Sequence, residues 1–500
     1  MTVYSVNFGI GWARSSGVEY AQLYRAQALR GQSQSLKFIF LDFINYENIQ
    51  TLTNNLGFKD EEIIWLYQYF TDIKIAPTSV TIDEILGKQS SEYNHMESDG
   101  KTKKFFYDNR YIICYLKFEN SDIVDRVEYV SRGKLLRRDY YSYVRFSSEY
   151  FAPEEEQAIL FKRDFYNEDG SIAFSEYLNE NESLFEFKDQ MIYSKPQLVG
   201  YLFEKLKLTN EDMIILDRST DIAQPVLENK NDAKLGIVVH AEHFNEPISN
   251  DDYILWNNHY EYVFMNVDEI DFYITATDIQ NKLLQSQFQK YLNITPKIYT
   301  IPVGNLKSLV YSEHRKPYSI MTASRLANEK HVDWLLKAVI KAKQQIPQIT
   351  FDIYGEGGQK QLLKRLIVDN DASTYISLLG HVDLENTYKN YELFLSGSTS
   401  EGFGLTLMEA VGSGLGIIGF DVNYGNPTFI NHQNNGYLIS LDTNEASEEE
   451  IINKIVESIV NYFKSDMKKI QNDSYRIAED FKLEVVQNKW TQLIDEVQND

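Results

Sequence analysis

Glu401 and Glu409 stand eight positions apart in Ser400-Glu-Gly-Phe-Gly-Leu-Thr-Leu-Met-Glu-Ala410, with Gly402 and Gly404 between them. A strand over Leu393–Ser396 precedes this run, and a helix is expected to begin near Leu405. Glycines at such a turn let backbone amides approach an anion, and a helix start adds roughly half a positive charge. Glu401 in the loop and Glu409 about one turn into the helix can then face two parts of one ligand. The plainer reading is a capping carboxylate with a solvated helix face. The two glycines after a strand, Gly402-Phe403-Gly404-Leu405, favour a binding site.

Arg325 and Lys330, in Thr322-Ala-Ser-Arg-Leu-Ala-Asn-Glu-Lys-His331, follow another strand, Tyr318–Thr322. Ligand-binding loops of open α/β sheets collect at such strand ends. Two cations there suit a diphosphate, whose charge has to be neutralised if it is to leave. Alone, the pair reads equally well as surface ion-pair partners.

Three weaker signals complete the set. Gly9-Ile-Gly-Trp-Ala-Arg-Ser-Ser-Gly17 is glycine-rich after a strand, but Arg14 stands where a dinucleotide fingerprint needs its third glycine, and the loop is not a P-loop. Its N–H groups, those of Ser16 and Gly17 included, can still meet a phosphate or sugar. His240 ends the apolar strand of Leu235-Gly-Ile-Val-Val-His-Ala-Glu-His243, a position expected to line a cleft. His240, Glu242 and His243 are also metal-ligand types, yet no further ligand motif accompanies them, and no metal is expected. Gly380-His-Val-Asp383 follows a strand too, and the backbone of His381 and Val382 can serve a base.

The elements that must position these residues are legible in outline. Thr2–Phe8, Val18–Gly31 and Leu36–Phe43 give the strand–turn–helix–strand order of a doubly wound sheet. From about Ile75 to Tyr193 the period turns towards two. Candidate strands there are Phe105–Lys117, Val127–Val130, Tyr140–Phe146, Leu160–Phe165 and Ile172–Tyr177, with turns at Asp99-Gly100, Arg132-Gly133 and Asp169-Gly170. This predicts an antiparallel meander inserted in the first α/β domain.

The α/β rhythm resumes near Lys195, with strands Met213–Leu216, Leu235–Val239, Phe272–Thr275 and Ile298–Pro302. After Pro317 a second unit carries Tyr318–Thr322, Ile349–Tyr354, Ile376–Leu379, Leu393–Ser396 and Gly416–Phe420. Its helix Glu450–Lys464 bears Ile451, Ile452, Ile455, Val456, Ile459 and Val460 on one face.

Composition narrows the classes. The chain has 500 residues, 49 basic and 73 acidic side chains and a net charge of −24, which disfavours nucleic acid and anionic membrane as partners. One cysteine, Cys114, excludes an internal disulfide framework. No apolar run approaches a membrane span, and the opening MTVYSVNFGIGWAR lacks the regions of a secretory leader, so a cytoplasmic location is expected.

Together the E-x7-E element Glu401–Glu409, the Arg325/Lys330 pair and the glycine-rich first turn resemble the retaining glycosyltransferases of family 4. The stretches VNFGIGWARSSGVEYAQLYRAQ, LGIVVHAEHF and SNDDYILWNN are similar to the accessory Sec-system members, which start O-glycosylation of serine-rich repeat adhesins. The resemblance implies a GT-B fold, two Rossmann-like domains facing a cleft with the antiparallel meander inserted in the first. Expected boundaries are 1–75 with 206–303 for the first domain, 76–205 for the insertion and 304–481 for the second, with helix 482–500 packing back on the first.

The resemblance further implies UDP-N-acetylglucosamine as donor and adhesin serine or threonine hydroxyls as acceptors. It assigns Arg325 and Lys330 to the diphosphate, Glu409 to the ribose, Glu401 to the transferred sugar and His240 to the sugar side of the cleft. Ser16 and Gly17 would sit near phosphates or sugar, and His381 and Val382 near uracil. It implies a homologous, GtfB-like partner docked on the inserted sheet, no cofactor or metal, and at most peripheral contact with the membrane.

Two rivals remain at this point. A wall-teichoic-acid transferase of TarM type would share fold and donor. A polyphosphate acceptor is repelled by a chain at −24 unless a basic track such as Arg132, Lys134, Arg137, Arg138 and Arg145 receives it. A non-catalytic, GtfB-like binding subunit is the other, against which stand Arg325, Lys330, Glu401 and Glu409, all present.

Overall fold

The computed structural model describes residues 1–10, 17–32, 34–154, 157–179, 182–441 and 447–499. Its contacts divide into two compact units, Met1–Ala26 with Arg30–Ile237 and Tyr262–Ile270, and Gln27–Leu29 with Val238–Glu261 and Asp271–Asp500.

In the first unit the parallel strands run in the order Lys234–Val239, Met213–Leu216, Thr2–Asn7, Ser35–Phe40, Ile63–Trp65. Thr2–Asn7 pairs on one side in register Val3↔Met213 and on the other in register Thr2↔Ser35. Met213–Leu216 is buried at every position, as a parallel strand covered on both faces requires. Gly17–Leu29 is the first helix. Ile49–Leu56 is held at its start by Asn48, whose side chain accepts from Gln50 N at 2.8 Å and Thr51 N at 3.4 Å.

The same unit carries a ten-stranded antiparallel sheet in which each strand pairs with its chain neighbours, from His95–Ser98 to Met191–Ile192. The Arg132-Gly133 link joins Ser131 to its partner Lys134 with φ of 49° and 76°, the two positive values of a tight hairpin turn.

Two predicted strands are corrected. Phe105–Lys117 is a hairpin, Thr102–Phe106 and Arg110–Leu116, closed by Tyr107 N–H donating to Arg110 O at 2.8 Å. Tyr140–Phe146 straddles the turn between Lys134–Tyr141 and Arg145–Glu154. Neither turn contains glycine or proline: the first turns on the polar pair Asp108-Asn109 and the second on Ser142-Tyr143-Val144, and without a glycine each reads through as one strand. Outer strands His95–Ser98, Glu182–Phe187 and Met191–Ile192 were not foreseen.

One face of this sheet packs on the parallel one through rings. Phe43 meets Phe165 at 5.7 Å and Tyr140 at 6.1 Å, Tyr67 meets Phe165 at 5.2 Å, and Trp65 meets Phe146 at 5.6 Å. Charges alternate across successive strands. Arg138 lies 2.9 Å from Glu128 and 3.1 Å from Glu149, and Arg163 bridges Glu149 at 3.0 Å and Glu176 at 2.9 Å. Arg137 and Arg145 both pair with Asp139. The predicted basic track is therefore largely compensated, by Glu128 and Glu149 brought alongside Arg138 through cross-strand pairing and by Asp139 beside Arg137 and Arg145.

The second unit holds a six-stranded parallel sheet in the order Ile376–Gly380, Thr350–Tyr354, Ser319–Ala323, Leu393–Leu395, Gly416–Phe420, Gly436–Ile439. The strand order reverses beside Ser319–Ala323, which pairs with Thr350–Tyr354 on one side and Leu393–Leu395 on the other. Helix Glu448–Lys464 starts in a capping box between Ser447 and Glu450. It buries all six of its predicted apolar residues in a core with Val332, Leu336 and Val339 of helix Val332–Lys343. Among the described residues no helix is long and apolar enough to cross a membrane.

Candidate active site

The carboxyl ends of Ser319–Ala323 and Leu393–Leu395 are where the strand order reverses, and loops leaving such neighbouring ends form a crevice. One loop leads through the turn Asn328–Lys330 into helix Val332–Lys343, and the other leads through Glu401 into helix Leu405–Gly412. The two predicted motifs therefore leave adjacent strands.

Lys330 and Glu401 meet there. The Lys330 Nζ donates to Glu401 Oε2 at 2.8 Å and to Ser398 Oγ at 3.0 Å, and Ser398 Oγ donates to the same carboxylate oxygen at 3.3 Å. Ser398 is buried, whereas Lys330 and Glu401 keep about a fifth of their side chains accessible, at 19% and 22%. The triangle fixes a cation and a carboxylate that still face solvent. Arg325 is placed otherwise, 73% exposed and paired with Glu329 at 2.7 Å one helical turn away in sequence.

Gly404, at φ 91°, occupies the left-handed position ahead of helix Leu405–Gly412, a conformation that favours glycine. Gly402 is required for a different reason: a Cβ there would stand 2.3 Å from the carbonyl oxygen of His240. The Phe403 ring packs on Phe429 and Phe481 at centroid distances of 5.1 and 5.8 Å. Leu405 opens the helix, whose first N–H groups lack intrahelical acceptors. Glu409 accepts from Tyr388 Oη at 2.8 Å.

His240 follows strand Lys234–Val239 directly. Its N–H and that of Ala241 both donate to Tyr260 Oη, at 3.0 and 3.1 Å. Beyond it, Tyr424 Oη donates to Glu242 Oε1 at 2.5 Å and lies 3.0 Å from His243 Nδ1, and His243 Nε2 is 2.6 Å from Gln287 Oε1. Both ring nitrogens of His243 are engaged, so it is a buried structural histidine rather than a ligand. Burial holds its pKa down to about 4 and pushes the Glu242 carboxyl and the Tyr424 phenol up. Among the described residues no cluster of three or more His, Cys, Asp or Glu is arranged to hold a metal.

His381 and Val382 are exposed just past strand Ile376–Gly380. Gly17 heads the first helix, in the other unit, and Ser16 lies outside the described residues. Sequence reasoning missed Ser398, Tyr388, Tyr424 and Tyr260. Ser398 had a signal, three positions before Glu401. The tyrosines had none, because each reaches its partner across the fold.

A strand-end crevice with a glycine-shaped helix start and an oriented lysine beside a carboxylate, in a chain with two parallel α/β sheets, defines a glycosyltransferase of the GT-B class. Residues 310–470 match the family described as glycosyl transferases group 1, and residues 95–189 match the GtfA extended beta-sheet domain.

Over 100% of its length the chain is 54% identical to the UDP-N-acetylglucosamine--peptide N-acetylglucosaminyltransferase GtfA subunit of Streptococcus gordonii, covering 99% of that protein. It is similar to the solved pneumococcal O-GlcNAc transferase GtfA in complex with UDP and GlcNAc, at 50% identity and a TM-score of 0.95, covering 100% of this chain and 99% of that one. A solved GtfA/B complex matches at 53% identity and a TM-score of 0.95 over 100% of both chains. The chain belongs to the family of GtfA subunits of peptide N-acetylglucosaminyltransferases.

Proposed function

We propose that this protein is a retaining glycosyltransferase that moves N-acetylglucosamine from UDP-GlcNAc to serine or threonine hydroxyls of a serine-rich repeat adhesin, the first step of its O-glycosylation, together with a GtfB-like partner. The carrying observation is the Lys330–Glu401–Ser398 triangle, seated at the strand ends where the sheet order reverses. A non-catalytic subunit has no need of a cation and a carboxylate held so and left accessible. The relatives' printed activity, peptide N-acetylglucosaminyl transfer, supports the same reading.

In this reading Arg325 and Lys330 neutralise the diphosphate, Glu409 holds the ribose, Glu401 the transferred sugar, and His240 the sugar side of the cleft. The backbone from Gly402 through Phe403 and Gly404 to Leu405 faces the phosphates, Ser16 and Gly17 belong near phosphates or sugar, and His381 and Val382 near uracil. The sugar–phosphate bond breaks with positive charge building on the sugar and negative charge on the leaving diphosphate. Lys330, Arg325 and the helix start stabilise that negative charge, each strong donor supplying about 3 kcal/mol. The acceptor hydroxyl attacks from the leaving-group face and gives its proton to the departing phosphate. Cations of the chain carry the charge, so the reading calls on no metal ion.

The division into 1–75 with 206–303, 76–205 and 304–481, with helix 482–500 returning to the first domain, belongs to this reading, as do the inserted sheet as partner surface and a cytoplasmic place, at most peripheral to the membrane. Compensation of Arg137, Arg138 and Arg145 by carboxylates favours a peptide over a polyphosphate acceptor. The test is radiolabelled UDP-GlcNAc offered with the adhesin peptide plus partner, and separately with teichoic acid. Label is expected in the peptide; label entering teichoic acid alone overturns the reading, and a covalent sugar adduct trapped on Glu401 overturns the mechanism.

A further inference from the structure

Glu401 sits beside Gly402 and Gly404, and a carboxylate that meets a sugar has to stand in one place. Its backbone is clasped by residues 423–425. The Glu401 carbonyl accepts from Tyr424 N at 2.7 Å and Gly425 N at 2.8 Å, and its N–H donates to Asn423 O at 3.3 Å. What fixes that clasp is the fully buried Tyr424 side chain. Its phenol donates to Glu242 Oε1 at 2.5 Å and lies 3.0 Å from His243 Nδ1, and its ring stacks on His243 at 5.8 Å and 21°. Glu242 and His243 are the second and third residues after His240, whose carbonyl oxygen abuts Gly402. One phenol therefore ties the segment bearing Glu401 to the segment bearing His240.

We propose that Tyr424 is a positioning residue for the transfer reaction: anchored on Glu242 and His243, it sets where Glu401 and His240 stand relative to each other. The proposal rests on the reading of the site given above. Removing the hydroxyl leaves the clasp's backbone bonds in place but frees it from Glu242, so Glu401 loses its fixed position in the transition state more than donor binding suffers.

The experiment uses the full chain with its partner, and compares Tyr424→Phe and Glu242→Leu, which leaves the phenol no acceptor at that position, singly and together, for kcat, KM for UDP-GlcNAc and Tm. The expected result is a kcat lowered about tenfold in each single variant, a KM within about twofold of wild type, and a double variant no slower than either single one. Two variants approach the same bond from its two ends, so misfolding of one leaves the other to decide. A kcat within twofold of wild type in the folded variants overturns the proposal, and so does a loss that follows Tm and disappears on cooling, since that marks a stability effect alone. Wild-type protein that transfers no GlcNAc sinks both the proposed function and this proposal, whereas active wild type with an unaffected Tyr424→Phe sinks this proposal only.

Discussion

The ammonium of Lys330 lies 2.8 Å from the carboxylate of Glu401 across 71 residues of chain, and Ser398 touches both. This contact turns two separate loops into one polar arrangement. In the proposed reading, charge neutralisation by Lys330 and sugar contact by Glu401 would then stand side by side.

Lys330→Ala should lower transfer by at least ~100-fold, the scale of removing one strong charge-stabilising donor, and Glu401→Gln, which turns the carboxylate into a neutral amide, by a comparable factor. Their stability should change little, because partly exposed ion pairs contribute about 0–1 kcal/mol. Initial-rate assays alongside thermal melts check this. Near-wild-type rates in both variants would remove the pair from the chemistry.

Tyr388→Phe deletes the 2.8 Å hydrogen bond to Glu409. If Glu409 holds the ribose, KM for UDP-GlcNAc should rise about fivefold at nearly constant kcat, as loss of one hydrogen bond that steadies Glu409 in ground and transition state alike implies. A fall in kcat at constant KM would place Glu409 elsewhere in the reaction.

His243 gives the fold an acid sensitivity. Burial holds its pKa at about 4, against an ordinary value of 6.5, so the unfolded chain binds the proton more readily than the folded one. Its contribution is complete above pH 6.5 and is lost as pH falls towards 4, a change of roughly 3 kcal/mol. Urea unfolding of wild type and His243→Gln between pH 7 and 4.5 should show a shallower acid decline in the variant. Parallel declines would falsify the assignment.

Glu149 stands between Arg138 and Arg163 with its side chain 2% exposed. Glu149→Ala leaves two guanidinium groups with less compensation in a shielded place and should cost about 3 kcal/mol. Glu61→Ala, on a side chain 74% exposed, should stay within about 0.5 kcal/mol of wild type by the same measurement. Equal effects would mean that the cross-strand ladder adds nothing to stability.

Sequence alone determined the features that arise over a few residues. Most strands of both parallel sheets were legible from period and composition, the edge strands Ile63–Trp65 and Gly436–Ile439 excepted, and Arg132-Gly133 from the positive φ that its tight turn needs. Glu401, Gly402 and Gly404 announced a binding loop because a strand, small residues and a helix start are all local. The family resemblance rested on those same stretches.

Tertiary structure alone decided which side chains meet. Lys330 turned out to contact Glu401 while Arg325 pairs with Glu329, and Tyr388 and Tyr424 took up Glu409 and Glu242 without any local sign. Arg138 acquired Glu128 and Glu149 only through strand register, whereas Asp139 lies beside Arg137 on one strand. Backbone preferences act between near neighbours along the chain, whereas these pairings depend on sheet order and register, which burial of apolar surface between distant segments sets.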